Sequence, residues 1–109
     1  MGKIQFQLEF SINSSPKILY NRLATPSGLS EWFADNVNVE NNYETFIFIW
    51  EGSPTKANVI NQKELSYIRF QWQDDADEDE NTYFEFRIMI DELTKDLALV
   101  ITDFAEADE

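Results

Sequence analysis

The stretch "SINSSPKILYNRLATPSGLSEWFADN", residues 11–36, starts two helices in succession with the same device. Ser15-Pro16 and Thr25-Pro26 each set a hydroxyl side chain before a proline. The hydroxyl can accept a hydrogen bond from a free N–H of the first turn, and proline suits the first helical position, where its missing N–H would have no partner. Leu19 and Leu23 share one face at i, i+4 spacing, with Ile18 beside them. Pro26 disfavours helical geometry at Thr25, which ends the first helix. On the second, Leu29, Trp32 and Phe33 form an i, i+3, i+4 stripe. Helices of about ten residues are too short to be stable alone. Both are expected to lean on an apolar surface.

That surface is written on either side of them as strands. Residues 3–12, "KIQFQLEFSI", alternate without a fault: Ile4, Phe6, Leu8, Phe10 and Ile12 against Lys3, Gln5, Gln7, Glu9 and Ser11. Such patterning predicts a half-buried strand with one wet face. "NVNVE" is a short strand, and Asn41-Asn42 followed by Tyr43 reads as a hairpin turn. "YETFIFIWEG" is apolar on both faces through Phe46–Trp50, as a central strand buried on two sides would be. "TKANVINQ" is weaker, with Ala57 and Val59 on one face. "SYIRFQWQ" alternates Ile68, Phe70 and Trp72 against Arg69, Gln71 and Gln73, and "TYFEFRIMI" alternates Phe84, Phe86, Ile88 and Ile90 against Glu85, Arg87 and Met89. "LALVITDF" offers Leu97, Leu99 and Ile101 on one side and Val100 on the other. Consecutive strands with short links predict an antiparallel meander. Pairing Arg69 with Glu85 sets Phe70 opposite Phe84 and Ile68 opposite Phe86, whereas a two-residue slip would oppose Arg69 to Arg87. The first register is expected.

Bulk properties narrow the function. A chain of 109 residues fits one domain. Nine Phe, four Tyr and three Trp give ample material for a packed core or an apolar cavity. Net charge is −13, from 21 acidic and 8 basic residues. Nucleic-acid binding relies on Lys and Arg replacing counterions on phosphates, so this charge argues against it, and against anionic membrane surfaces. The acidity suits solubility or a basic protein partner. With no cysteine and no histidine, the chain has no thiol nucleophile and lacks the commonest general base and metal ligand. No run approaches the ~18 apolar residues of a spanning helix, and "MGKIQF" lacks a signal core. A cytoplasmic protein without membrane insertion is the expectation.

At this point the residues resemble a known family. A strand, then Ser15, Pro16, Tyr20, Leu23, Pro26, Leu29 and Trp32 in the order Ser-Pro-x-x-x-Tyr-x-x-Leu-x-x-Pro-x-x-Leu-x-x-Trp, then a strand meander is similar to the START-like (SRPBCC) helix-grip superfamily. Within it, the chain resembles the group related to the activator of the heat-shock-protein-90 ATPase, and most of all the small START-like domain proteins of Bacteroidetes. The resemblance covers almost the whole chain. It implies an α+β fold: a curved antiparallel sheet of six or seven strands, two short helices plugging one end, and an apolar cavity between the sheet and a long C-terminal helix. Here the sequence departs from the family. Only "DFAEADE" follows the last strand, and a gripping helix needs about 20 residues, or ~30 Å, to cross the sheet. The expectation is one START-like domain over residues 1–109, with that helix omitted from the sequence or the face covered by another chain, self-association included.

Little else carries chemistry. Asp75, Asp77 and Asp79 mimic positions 1, 3 and 5 of a calcium loop, but Glu80 and Phe86 stand where Gly and Glu are required. A solvated hairpin tip is the expectation, and no metal, cofactor or catalytic residue is assigned. Glu51, Glu85 and Asp103 are the available carboxylates, with Glu85 on the wet face beside Arg87. Arg69 and Arg87 read as surface partners of acids; Tyr20 and Tyr83 offer hydroxyls for a pocket mouth, although core tyrosines hydrogen-bonded at one end are commoner. Trp32, Phe33, Trp50, Phe70, Trp72, Phe84 and Phe86 are the candidate lining of an apolar ligand pocket, a set that a dry core would use equally well. The expected function is non-enzymatic binding of a hydrophobic small molecule or lipid in a cavity between the sheet and the helices. The alternative is a co-chaperone-like module that docks proteins through its acidic surface.

Overall fold

The computed structural model describes residues 3–76 and 82–106. The chain runs β1 (Lys3–Ile12), α1 (Pro16–Ala24), α2 (Pro26–Leu29), β2 (Asn36–Glu40), β3 (Thr45–Trp50), β4 (Ser53–Lys63), β5 (Tyr67–Trp72), α3 (Gln73–Ala76), β6 (Phe84–Ile90) and β7 (Leu97–Glu106). Seven strands form one antiparallel sheet in the order β1-β7-β6-β5-β4-β3-β2. Strands β2 to β7 are the expected meander. The first strand instead pairs with the last, over ten consecutive positions from Lys3↔Glu106 to Ile12↔Leu97. This leaves β1 and β2 as the two sheet edges.

Turn chemistry sets the hairpins. Glu51 and Gly52, both with positive φ (49° and 81°), make the two-residue link between β3 and β4. Asn41, Asn42 and Tyr43 all lie in the left-handed region between β2 and β3, which the two asparagines tolerate well. Between β6 and β7, Asp91 Oδ1 accepts from the N–H groups of Leu93 and Thr94. Those two bonds lower its pKa. The β5–β6 register is the expected one, with Arg69 opposite Glu85, Phe70 opposite Phe84 and Ile68 opposite Phe86. A register shift between Val59 and Asn61 bulges β4 against β5.

The helices begin as the sequence indicates. Ser15 Oγ accepts from the N–H of Ile18, and Leu19 and Leu23 are buried. Thr25 closes one helix and opens the next: its hydroxyl donates to the Asn21 carbonyl at 2.6 Å and accepts from the Gly28 N–H at 2.9 Å. The second helix is shorter than its stripe suggests, ending at Leu29. Ser30 to Ala34 continue as turns, with Phe33 and Ala34 N–H both donating to the Leu29 carbonyl. Those turns still swing Phe33 onto the sheet. The core forms between one sheet face and the helices, from Leu19, Leu23 and Leu29 to Phe46, Phe48, Phe70, Phe84 and Phe86. This helix-bearing face is called inner below.

Two strands differ from expectation. Ile47 and Ile49 of β3 are only half-buried, because no second layer among the described residues covers the outer face, so β3 is not buried on both sides. The apolar face of β1 is not buried either. Ile4, Phe6, Leu8 and Phe10 are 40–57% exposed, since β1 is an edge strand and α1 rests on β5 and β6.

Gly28 fixes how closely the helices meet. A Cβ built there would lie 2.3 Å from the Asn21 carbonyl oxygen and 2.5 Å from the Arg22 Cα, both backbone. Gly28→Ala should therefore destabilise the domain by about 1–3 kcal/mol through overpacking. The readout is the urea unfolding midpoint, and an unchanged midpoint contradicts the close approach.

Candidate ligand-binding face

All seven expected pocket residues meet in one aromatic cluster on the inner face. Phe33 makes ring contacts with Phe48 (5.2 Å), Trp50 (5.4 Å), Phe84 (5.8 Å) and Phe86 (5.3 Å). Trp72 stacks on Phe84 at 4.6 Å, and Phe70 on Phe84 at 5.0 Å. Trp32 meets Phe86 edge-on at 5.2 Å but remains 40% exposed. Hydrogen bonds orient the two outermost indoles: Trp32 Nε1 donates to the Arg22 carbonyl and Trp50 Nε1 to the Phe33 carbonyl. Phe70, Phe84 and Phe86 are fully enclosed, while Phe33, Trp50 and Trp72 are half-buried. Ring-to-ring contact occupies the space between the α1–α2 segment and strands β3, β5 and β6. Phe46 and Phe48, absent from the expected set, belong to the same cluster.

Exposed apolar surface lies on the same sheet face, across β7 from this cluster. Along β1, Ile4, Phe6, Leu8 and Phe10 form a continuous inner-face strip, and Ile101 of β7, opposite Leu8, is half-buried. Beyond the far end of the strip, Ile90 is also exposed. The alternation of residues 3–12 carried the signal for which side chains share this face. It carried none for how much of the face the helices cover.

The carboxylates do not converge. Glu51 is exposed in a turn, Glu85 lies on the outer face, and Asp103 occupies an inner-face position opposite Phe6. Among the described residues, no group of three acidic side chains is placed to hold a metal ion. Glu80, Asp77 and Asp79 lie outside the described residues. Tyr20 lines an open groove of about 500 Å3 between α1 and the β4–β5 turn, with Lys17, Ile18, Glu64 and Leu65. Burial raises the Tyr20 pKa, and the Glu64 carboxylate adds to the effect. Tyr83 lies on the outer face instead, accepting from Gln5 Nε2.

Glu85 is more buried than its wet-face parity implies, because two arginines close over it. Arg69 Nη2 approaches its carboxylate at 2.7 Å and Arg87 Nε at 2.8 Å. Each guanidinium also stacks on a tyrosine, Arg69 over Tyr83 and Arg87 over Tyr67. This assembly staples three neighbouring rows of the outer face.

The comparisons with known proteins agree with this architecture. A family model described as a START-like superfamily domain matches residues 1–109. The chain belongs to the START-like superfamily. A Bacteroides fragilis protein solved by NMR is 41% identical, with a TM-score of 0.73, over 100% of this chain and 79% of that one. The Aha1 dimer from Colwellia psychrerythraea is 17% identical, with a TM-score of 0.75, over 96% of this chain and 78% of that one. A Cytophaga hutchinsonii protein is 14% identical, with a TM-score of 0.67, over 98% and 80%. The last two likenesses show the fold alone. No curated protein matches the chain. No helix among the described residues of this START-like domain is long and apolar enough to cross a membrane.

The Glu85 assembly predicts an acid-sensitive contribution to stability. Burial pushes the carboxyl pKa up, but the hydrogen bonds and charges of Arg87 and Arg69 outweigh it, and the net shift is down. A lowered folded pKa stabilises the fold above the unfolded value of about 4.3, and that stability is lost as pH falls through the folded pKa. Glu85→Gln should cost about 1–3 kcal/mol at pH 7. The lower end is expected, because the arginine side chains are 30% and 35% exposed and can turn to water. The variant should also lose less stability than wild type between pH 5 and pH 3, on the order of the lost carboxylate contribution. Urea unfolding at the three pH values checks both, and an equal acid loss in the two proteins would contradict the assignment.

Proposed function

We propose that this START-like domain is a non-enzymatic binding module that holds a hydrophobic small molecule or lipid on its inner face, along β1 and across β7 from the aromatic cluster. The observation that carries the reading is the row Ile4, Phe6, Leu8 and Phe10, each about half exposed on the face where the core lies. Contiguous exposed apolar patches are rare on monomeric proteins, and ligand-binding grooves are among the features they mark. Full burial of such side chains stabilises by roughly 1.5–3 kcal/mol each, so covering four half-exposed ones yields about 3–6 kcal/mol. An apolar ligand adds the burial of its own chain. Across β7 from this row, Phe84 and Phe86 of β6 begin the aromatic cluster that holds the other candidate lining residues. A net charge of −13 supports a second reading, a module whose acidic surface docks a basic protein.

The neutral fluorescent probe N-phenyl-1-naphthylamine tests the first reading. Wild type should enhance its emission saturably, and Phe6→Ser with Phe10→Ser should weaken binding about tenfold or more. Both residues are exposed, so circular dichroism should show an intact fold. Absence of binding, or equal binding by the double variant, would contradict the reading.

A further inference from the structure

We infer that an arginine side chain of a basic protein partner seats in an open dent between the turns after α2 and the end of β3, a proposal that rests on the second reading above. The dent measures about 370 Å3, and Glu31, Trp32, Phe33, Asp35 and Trp50 are among its walls. Strands β7, β6, β5 and β4 lie between β3 and the apolar row of β1, so the two places are separate. The hydrogen-bonding groups left at the surface decide the ligand. Every backbone N–H from Ser30 to Asp35 is donated inside the chain: that of Ser30 to the Pro26 carbonyl, Glu31 to Gly28, Trp32, Phe33 and Ala34 to Leu29, and Asp35 to Ile49. The side-chain donors are spent as well. Trp32 Nε1 donates to the Arg22 carbonyl at 2.8 Å, Trp50 Nε1 to the Phe33 carbonyl at 2.9 Å, and the Ser30 hydroxyl to the Ser27 carbonyl at 2.8 Å. Residues 30–35 and the two indoles therefore offer a ligand acceptors and ring surface, not donors.

Charge and ring geometry narrow the choice further. Glu31 is already paired with Arg22 at 2.7 Å. Asp35 is not ion-paired with a lysine or arginine among the described residues; its Oδ2 accepts only from the Glu51 N–H, at 2.7 Å. Trp32, 40% exposed, and Trp50 flank Phe33 at 5.5 and 5.4 Å, each indole held in place by its own N–H bond. An anion here would meet carboxylates and no donor, and an apolar group would strip water from Asp35 without replacing it. A guanidinium fits both features. Its plane stacks on an indole while its N–H fork donates to a carboxylate. A lysine ammonium is more strongly hydrated and has no plane to stack. One guanidinium in an open dent binds weakly by itself, which favours a cation carried by a protein, where neighbouring contacts and the net charge of −13 add to it.

The test titrates Nα-acetyl-arginine amide, its lysine counterpart and its uncharged citrulline counterpart into the nitrogen-15-labelled full chain in 150 mM salt. Hexalysine is added in parallel as a basic probe without arginine. The arginine compound should shift the Trp32 and Trp50 indole resonances saturably, with a dissociation constant about threefold or more below that of the lysine compound and about tenfold or more below that of citrulline. Asp35→Asn keeps an oxygen for the Glu51 N–H and should raise the arginine constant about threefold or more. Trp32→Leu should do the same, and Glu9→Gln on β1 should leave the constant unchanged. Equal binding of arginine and citrulline or lysine, or an unchanged constant in Asp35→Asn, would overturn the inference. Saturable hexalysine shifts at other acidic residues, with no arginine shifts at the dent, overturn the dent while the basic-partner reading stands. Absence of saturable shifts with either probe overturns both.

Discussion

Phe33 lies within ring contact of Phe48 and Trp50 on β3 and of Phe84 and Phe86 on β6, so one side chain from the turns after α2 bridges the sheet core from β3 to β6. Its backbone is held too, because Trp50 Nε1 donates to the Phe33 carbonyl. Aromatic pairs of this kind contribute about 0.5–1.5 kcal/mol each beyond burial. Two short helices could not persist without such an anchor. Everything that seats Phe33 serves it: the shared cap at Thr25, the close approach at Gly28, and the turns that begin at Leu29.

That anchoring is one-sided. The helices settle over β5, β6 and β2, where Leu19, Leu23 and Leu29 complete the core. The opposite margin of the inner face, along β1, retains its apolar side chains in the open. Sheet order produces this asymmetry. The first strand joins the last at the margin farthest from β2, while the chain leaving β1 crosses back over the middle of the sheet. The outer face is tied by charge instead, through Arg69, Glu85 and Arg87, so that one face keeps exposed apolar side chains and the other carries the polar network.

Much of this was legible in the residues. Strict alternation defined which side chains share a face in β1, β5 and β6, and the Arg69–Glu85 match defined the register of a hairpin. The Ser-Pro and Thr-Pro pairs gave both helix starts. The extent of the second helix was not legible, because Leu29, Trp32 and Phe33 can share one side of a helix or of a turn that follows it. The position of β1 was hidden for a different reason. Its pairing with β7 spans most of the chain, and local pattern says nothing about which edge a strand joins. For the candidate site, the seven aromatic residues lie in one ring cluster, but the same residue types serve tight ring packing and pocket lining. Whether rings touch one another or a ligand depends on distances that only the folded chain sets.

The most direct measurement of the central claim, a core sealed on one side and open along β1, is solvent paramagnetic relaxation of methyl resonances with a soluble gadolinium chelate. The Ile4 and Leu8 methyls should relax strongly, and those of Leu23 and Leu29 should remain protected. Equal protection of Ile4, Leu8 and Leu29 would contradict the account.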